Sequence, residues 1–251
     1  MNLSAGGRAA NVGAMAGFGQ FCPIAVACEV FAERWTPIIL RELFAGSHRF
    51  NEMHRCIPLI SRPLLARRLR ELEAAGVIRS TAKQKGKPRE YHLTDSGREF
   101  RAAVDALGTW GQRWTLRVNP ENLDSGLLMW NIRRRTALER LPPRRVVVQF
   151  EFRGVPAGRS MLKKCWLILE RSGSDVCLSD PGFEVDVCVD ADLAAMAKVW
   201  LGDLPFAEAV RQKKIRLSGA SALVRAFPDW LLLSQFARVP RPPAEFPASP
   251  G

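Results

Sequence analysis

The apolar residues between positions 35 and 76 recur at intervals of three and four, a spacing typical of amphipathic helices. A first block contains Trp35, Ile38, Ile39 and Leu43, a short second block Phe50, Met53 and Ile57, and a third Leu65, Leu69 and Leu72. Ser61 stands where the third helix needs an N-cap, and Gly76 stands where that helix should end. The pattern therefore predicts three consecutive helices.

Two short strands and a long helix are predicted directly after these helices. Residues 77–80 and 90–93 have strand character, and the Lys-, Gly- and Pro-containing segment 83–89 between them is typical of a turn. Thr94 can then cap a helix whose apolar stripe recurs at coiled-coil-like intervals. The stripe contains Phe100, Val104, Leu107 and Trp114. Such a stripe needs a partner to cover it.

The period of the apolar residues changes after Pro142 and Pro143. Val146, Val148, Phe150 and Phe152 alternate as in a strand, and similar runs lie at 165–170, 175–179 and 183–189. Helical spacing returns between positions 193 and 201, and a short strand at 215–217 precedes a last apolar helix over 219–236. This change of period predicts a second domain of mixed sheet and helix.

The composition adds a strong excess of basic residues to this picture. The 251-residue chain has 37 Lys and Arg against 25 Asp and Glu, which gives a formal net charge of +12. Such a chain attracts polyanions such as nucleic acid or an anionic membrane, and a solubilising surface excess is the alternative. The position of the charge along the chain decides between these readings.

More than half of the net charge lies between Arg62 and Arg89, where nine basic and two acidic residues give +7. This segment is the outer face of the third helix and the following hairpin, the two parts with which a winged helix-turn-helix meets double-stranded DNA. An Arg can donate two hydrogen bonds to guanine in the major groove, so Arg67 and Arg70 are the predicted base-reading residues. The other predicted DNA contacts are Ser61, Arg62, Arg68, Lys83, Lys85, Lys87 and Arg89, of which the lysines and Arg89 bind phosphate. A solvated basic face is the alternative.

Several motifs in this region resemble those of the HxlR-type transcription regulators. They are Cys22-Pro23, Arg34-Trp35-Thr36, Ile39-Leu40-Arg41-Glu42-Leu43, Arg49-Phe50-Asn51-Glu52-Met53, Ile60-Ser61, Leu65-x-Arg67-Arg68-Leu69-Arg70-Glu71-Leu72-Glu73-x-x-Gly76, Tyr91-x-Leu93-Thr94-x-x-Gly97 and Trp110-Gly111. The resemblance covers about residues 22–114. It implies a cytoplasmic bacterial regulator that binds a partly palindromic operator. It also implies a homodimer formed through the terminal helices, here the helix after Cys22 and the helix with the Phe100-to-Trp114 stripe.

The cysteines leave one further role open. Some relatives in this family use an N-terminal cysteine to sense oxidants or electrophiles, and Cys22 occupies the corresponding place. A thiol senses well only when it is exposed and shifted toward thiolate, and the sequence shows neither property. The six cysteines contain no Cys-x-x-Cys pair, so no metal site is predicted.

The second domain resembles sterol-carrier-protein-type lipid-binding domains in its order of strands and helices. The segment Lys213-Lys214-Ile215-Arg216-Leu217-Ser218-Gly219 before the last helix carries this resemblance. It implies an apolar pocket for a hydrophobic small-molecule effector, lined by Met196, Trp200, Phe206 and Trp230. The alternative is that these side chains fill a core. The segment 183–210 has a net charge of −5, so we expect it to face away from DNA.

These observations predict an α+β chain in two domains. The predicted parts are a flexible tail (1–20), the winged helix-turn-helix domain (21–118), a linker helix (119–143), the smaller ligand-binding or regulatory domain (144–238) and a disordered tail (239–251). The sequence contains no catalytic motif, so we expect neither an enzyme nor a cofactor. No apolar run is long enough to span a bilayer. A lipid carrier with a basic surface-binding domain is the alternative to a regulator.

Overall fold

The computed structural model describes residues 17–81, 88–115, 117–156 and 163–242. The chain forms two compact units that divide between Ala106 and Leu107, here called the N-terminal unit and the C-terminal unit. Most of the two predicted tails, residues 1–16 and 243–251, lies outside the described residues.

The N-terminal unit is a set of helices followed by a hairpin and two further helices. Its elements are α1 (Pro23–Phe31), α2 (Thr36–Phe44), α3 (Phe50–Cys56), α4 (Arg62–Ala74), β1 (Ile78–Ser80), β2 (Tyr91–Leu93), α5 (Asp95–Glu99) and the start of α6 (Arg101–Trp110). β1 and β2 pair in antiparallel fashion, with Ile78 opposite Leu93. The predicted three helices and hairpin are confirmed as α2, α3, α4 and β1–β2, but the region between Cys22 and Gly46 forms two helices, α1 and α2, and not one.

The predicted apolar faces form the core of this unit. Leu65, Leu69 and Leu72 of α4 are buried, together with Leu40 of α2 and Met53 of α3. Ser61 caps α4 as predicted, since its hydroxyl oxygen accepts a hydrogen bond from the backbone nitrogen of Leu64 at 3.4 Å. The side-chain cap satisfies a backbone donor that the helix leaves free and fixes where α4 begins.

Gly97 lies in α5 against the backbone that leads into β1. The backbone nitrogen of Thr94 donates to the carbonyl oxygen of Val77 at 3.1 Å, and a Cβ on Gly97 would come within 2.0 Å of that oxygen. Because the obstacle is backbone, Gly97→Ala should lower the free energy of unfolding by about 1–3 kcal/mol. Denaturant unfolding measures this loss. Gly111→Ala is the control, since its Cβ would meet only Thr115 Oγ1 at 3.8 Å. Equal midpoints for both variants would argue against the close contact at Gly97.

The C-terminal unit is built on a five-stranded sheet. Its strands are β3 (Val146–Arg153), β4 (Lys164–Glu170), β5 (Gly173–Cys177), β6 (Val187–Asp192) and β7 (Ile215–Gly219), and its helices are α7 (Ser125–Arg134), α8 (Leu193–Trp200), α9 (Phe206–Arg211) and α10 (Ser221–Trp230). The strand order is β5-β4-β3-β6-β7. β3 runs parallel to β6, and the other neighbouring strands are antiparallel.

One face of this sheet forms the main core of the unit. Val148, Phe150 and Val189 are fully buried there, in one cluster with residues of the helices. The structure differs from the prediction at α7, which was expected to be a linker helix within 119–143. Met129 and Ile132 of α7 are buried in the same core cluster, so α7 is an integral part of the C-terminal unit. In the described part of the chain, no helix has the length and apolar character that a bilayer crossing requires.

Candidate nucleic-acid interface

Helices α3 and α4 form the helix-turn-helix, and Arg62 connects their first turns. Arg62 Nη1 donates a hydrogen bond to Asn51 Oδ1 at 3.1 Å, and the guanidinium lies 5.9 Å from the centre of the Phe50 ring. Neither partner carries a charge. Among the described residues Arg62 has no acidic partner, so its positive charge stays available at the start of α4, where the sequence predicts a DNA contact.

The outer face of α4 carries the two predicted base-reading residues. The Arg67 side chain is 57% exposed, and its Nε lies 3.6 Å from Glu71 Oε1. Arg70 is also exposed and forms no ion pair with any residue that the structure describes. Exposed ion pairs contribute little to stability, so Arg67 can leave Glu71 for a stronger acceptor. Both side chains are available to an approaching ligand.

Arg68 does not share this face, and its predicted role as a DNA contact is revised. Its side chain is only 9% exposed, and Nη1 donates to Glu71 Oε2 at 2.7 Å. Nη2 donates to Glu33 in the segment between α1 and α2. Contact with DNA would require both ion pairs to break in a mostly buried place, which is costly.

Arg89 fixes the base of the hairpin instead of extending freely from it. Its Nη2 donates to Glu73 Oε2 at 2.8 Å, and its guanidinium lies 5.5 Å from the centre of the Tyr91 ring. Glu73 Oε1 accepts from the Ser80 backbone nitrogen at 3.1 Å, so one carboxylate joins α4 to both sides of the hairpin. Lys83, Lys85 and Lys87, the predicted phosphate contacts of the hairpin tip, lie outside the described residues.

The Glu73 contacts make the stability of the hairpin base dependent on pH. The hydrogen bond from the Ser80 hydroxyl, assisted by the charge of Arg89, lowers the pKa of Glu73 below its ordinary value of 4.5. A depressed pKa stabilises the fold above the unfolded value, and this contribution disappears as the pH falls through the folded value. Glu73→Gln should therefore cost less than about 1 kcal/mol at neutral pH, and the cost should shrink toward pH 3. Unfolding of both proteins across this range tests it, and a pH-independent difference would contradict it.

A polar cleft lies between α3 and the base of the hairpin, and sequence reasoning missed it. Its volume is about 400 Å³, and its lining is Arg49, Phe50, Asn51, Glu52, Arg55, Pro88, Arg89 and Tyr91. A bridge between Arg49 and Glu90 joins the two parts, with Arg49 Nε donating to Glu90 Oε1 at 3.0 Å. The sequence signal for it was a pair of arginines, Arg49 at the N-cap of α3 and Arg55 in its last turn. The cleft thus lies between residues of α3 and residues of the hairpin base.

Helix α1 and the end of α6 expose apolar side chains. α1 buries none of its residues, and Ile24 is 73% exposed. In α6, Leu107 is 48% and Trp110 is 57% exposed. Large apolar side chains that a single protomer leaves exposed to solvent often mark an interface.

The four residues of the predicted dimer stripe differ in their burial and in their packing partners. Phe100 stacks on Phe31 with ring centres 5.2 Å apart, and Val104 belongs to the core of the N-terminal unit. Leu107 is exposed, and Trp114 is half-buried. Phe100 and Val104 therefore pack within the protomer, whereas Leu107 is an exposed member of the stripe.

The four residues of the predicted effector pocket pack in the C-terminal core. Met196 and Trp230 are fully buried, and Trp200 and Phe206 pack against the same cluster. The Phe206 and Phe227 rings meet edge to face, with centres 6.1 Å apart. This packing favours the alternative in which these side chains fill the core.

The acidic segment 183–210 is compensated by arginines of its own unit. Asp186 pairs with Arg144 at 2.8 Å, Asp190 with Arg153 at 2.6 Å, and Asp203 with Arg241 at 2.9 Å. These ion pairs reduce the acidic excess of the segment, and its orientation away from DNA stays a prediction. Within the described ranges, no three Cys, His, Asp or Glu residues cluster as a metal site requires. Cys22 is half-buried at the N-cap of α1, and its sensing role stays a prediction.

The helix pair, the exposed arginines of α4 and the hairpin define a helix-turn-helix domain with a wing. Residues 30–119 match the family model described as HxlR-like helix-turn-helix. The chain is 34% identical over 99 residues to the HTH-type transcriptional regulator YdeP of Bacillus subtilis, covering 39% of this chain and 77% of YdeP. It is 32% identical over 107 residues to YvaP of the same organism, covering 42% of this chain and 96% of YvaP.

A solved structure of the reduced transcriptional regulator YodB from B. subtilis is also similar. The identity is 29%, the match covers 38% of this chain and 95% of YodB, and the TM-score is 0.34. The coverage and identity of the YdeP and YvaP matches show the family. The chain belongs to the HxlR-like helix-turn-helix family.

Proposed function

We propose that this protein is a sequence-specific DNA-binding transcription regulator. The observation that carries the proposal is the exposure of Arg67 and Arg70 on the outer face of α4, opposite its buried leucines. Family membership supports it, since YdeP and YvaP are described as HTH-type transcriptional regulators. The opposite face of α4 is anchored in the core, so the two arginines extend from a rigid support.

In this proposal α4 enters the major groove, where Arg67 and Arg70 read guanine edges. Arg62 and the basic residues of the hairpin bind the phosphates on either side, which sets the affinity and the register of the helix. Arg89 supports the hairpin through its ion pair with Glu73, which compensates its positive charge. Arg68 supports α4 from within the protomer.

We also propose a homodimer formed through α1 and the later part of α6. The exposure of Ile24, Leu107 and Trp110 supports this assignment, because a protomer leaves these large apolar side chains in water. A dimer places two α4 helices on half-sites about 10 base pairs apart and so matches a partly palindromic operator.

The C-terminal unit is proposed to modulate DNA binding through a hydrophobic ligand or a protein partner. One observation supports this proposal. Helix α6 begins in the N-terminal unit, and its residues from Leu107 onward belong to the C-terminal unit, so one helix is shared by both units. A lipid carrier is less well supported, because the four side chains of the predicted pocket are packed in the core. A panel of fatty acids and acyl conjugates separates these readings. A ligand of a regulatory unit must raise the melting temperature and also change operator affinity, whereas a carried lipid changes only the former.

Genomic footprinting of the full chain, followed by selection from a random pool of duplexes, tests the proposed function. We expect enrichment of one partly palindromic motif with half-sites about 10 base pairs apart. A chain that protects no discrete sites and enriches no motif would not be a sequence-specific regulator.

A further inference from the structure

Four charged residues form a continuous series of ion pairs from the segment after α1 to the outer face of α4. Glu33 accepts a hydrogen bond from Arg68, and Arg68 Nη1 donates to Glu71 Oε2 at 2.7 Å. The other oxygen of the same carboxylate, Glu71 Oε1, lies 3.6 Å from Arg67 Nε. The predicted base-reading arginine is thus the last member of a series that begins 34 residues earlier in the chain, at Glu33.

Arg68 is the central member of this series, and its position is tightly determined. The side chain is 9% exposed, and its buried Nε has no hydrogen-bond partner among the residues that the structure describes. The two carboxylates therefore supply the acceptors that hold the guanidinium. Removing one of them from a mostly buried charge has a larger effect than removing a surface partner.

Glu33 itself lies in a constrained segment. It stands between α1, which ends at Phe31, and the N-cap of α2 at Trp35. Trp35 has a φ of 79°, a left-handed conformation that a non-glycine residue rarely adopts. The Arg34 guanidinium lies 5.2 Å from the centre of a Trp35 ring. Glu33 is therefore presented to Arg68 by a turn of defined geometry.

Glu71 divides its two oxygens between a buried and an exposed arginine. With Arg68 held by Glu33, the Glu71 carboxylate is oriented by its short bond to Arg68, and its contact with Arg67 is long. Without Glu33, Arg68 would lose one of its two acceptors in a mostly buried place, which favours its turning out to solvent and away from Glu71. Glu71 would then be free to turn toward Arg67 and form a closer ion pair. Arg67 would then be drawn back along α4 and would have to break that pair before it reached a base.

We propose that Arg68 is a positioning residue for base reading, and that Glu33 holds it so that Arg67 extends toward the major groove. The inference rests on the proposed function, because it assumes that Arg67 reads a base. It assigns sequence discrimination partly to an acidic residue that lies outside the helix-turn-helix. A displacement of the segment after α1 would reach the reading face of α4 through the same residues.

The test measures affinity for an operator duplex selected in vitro and for a random duplex of equal length. Glu33→Gln should reduce the ratio of these affinities about five- to tenfold, a coupling typical of residues in one ionic network. The slope of affinity against salt should not change, since no phosphate contact is removed. In the Arg67→Ala background, Glu33→Gln should have little further effect on the ratio.

Asp95→Asn is the matched control, because it removes the same charge from an exposed ion pair with Arg98 in the same unit. It should leave the operator-to-random ratio unchanged. If Glu33→Gln weakens both duplexes equally, or lowers the ratio as strongly without Arg67 as with it, Arg68 is only a structural residue and the inference is overturned. If the wild-type chain shows no operator preference, the proposed function itself fails.

Discussion

Replacing Arg67 or Arg70 by alanine is expected to weaken operator binding by about 1–3 kcal/mol and to relax discrimination at one base pair each. Both side chains are exposed on the outer face of α4, and the face behind them is buried. Their removal should therefore leave the fold intact. The affinity for the operator and for single-base variants of it measures the effect.

Lys85→Ala is the comparison variant for these two arginines. A phosphate contact carries no sequence information, so its loss should weaken operator and random DNA alike and reduce the salt slope by about one. The assignment of base reading to α4 is wrong if the arginine variants lose as much affinity for random DNA as for the operator.

Leu107→Asp is expected to convert the proposed dimer into a monomer and to lower operator affinity by about two to four orders of magnitude, since the second half-site is lost. A charged side chain is tolerated by a monomer at this position, because Leu107 is already 48% exposed. The same charge in an interface would be buried without a partner. Sedimentation at micromolar concentration and operator titration measure the two effects.

Leu178→Asp is the matched control for this change. Leu178 is an equally large apolar residue, 51% exposed, in the C-terminal unit outside the proposed dimer helices. It should neither dissociate the dimer nor weaken operator binding. A wild-type chain that sediments as a monomer both free and on operator DNA would refute the dimer.

The local features of the N-terminal unit were readable from the sequence because they depend on nearby residues. The leucine spacing and the Ser61 cap fix α4 within a few turns, and the hairpin follows from a turn-rich segment between two short strands. The topology of the C-terminal sheet was harder to predict from the sequence. Its strand runs were visible, but the parallel pairing of β3 with β6 joins residues that are far apart in the chain. The buried stripe of α7 was overlooked beside its arginines.

In the candidate interface, too, local features could be predicted from the sequence and long-range contacts could not. The angular spacing of residues around an α-helix correctly placed Arg67 and Arg70 away from the leucine stripe. It could not show that Arg68 is paired with Glu33, a contact across 35 positions, or that Arg89 is paired with Glu73 across 16. The sequence does not show whether a basic side chain faces solvent or pairs with a carboxylate that is distant in the chain. The cleft beside α3 was missed for this reason also.

The affinity of the full chain for its selected operator, relative to a random duplex of equal length at about 150 mM salt, tests the central claim most directly. A sequence-specific regulator should prefer the operator by a factor of about 10³ or more. A ratio near one would mean that the net charge of +12 alone attracts DNA, and it would contradict the account.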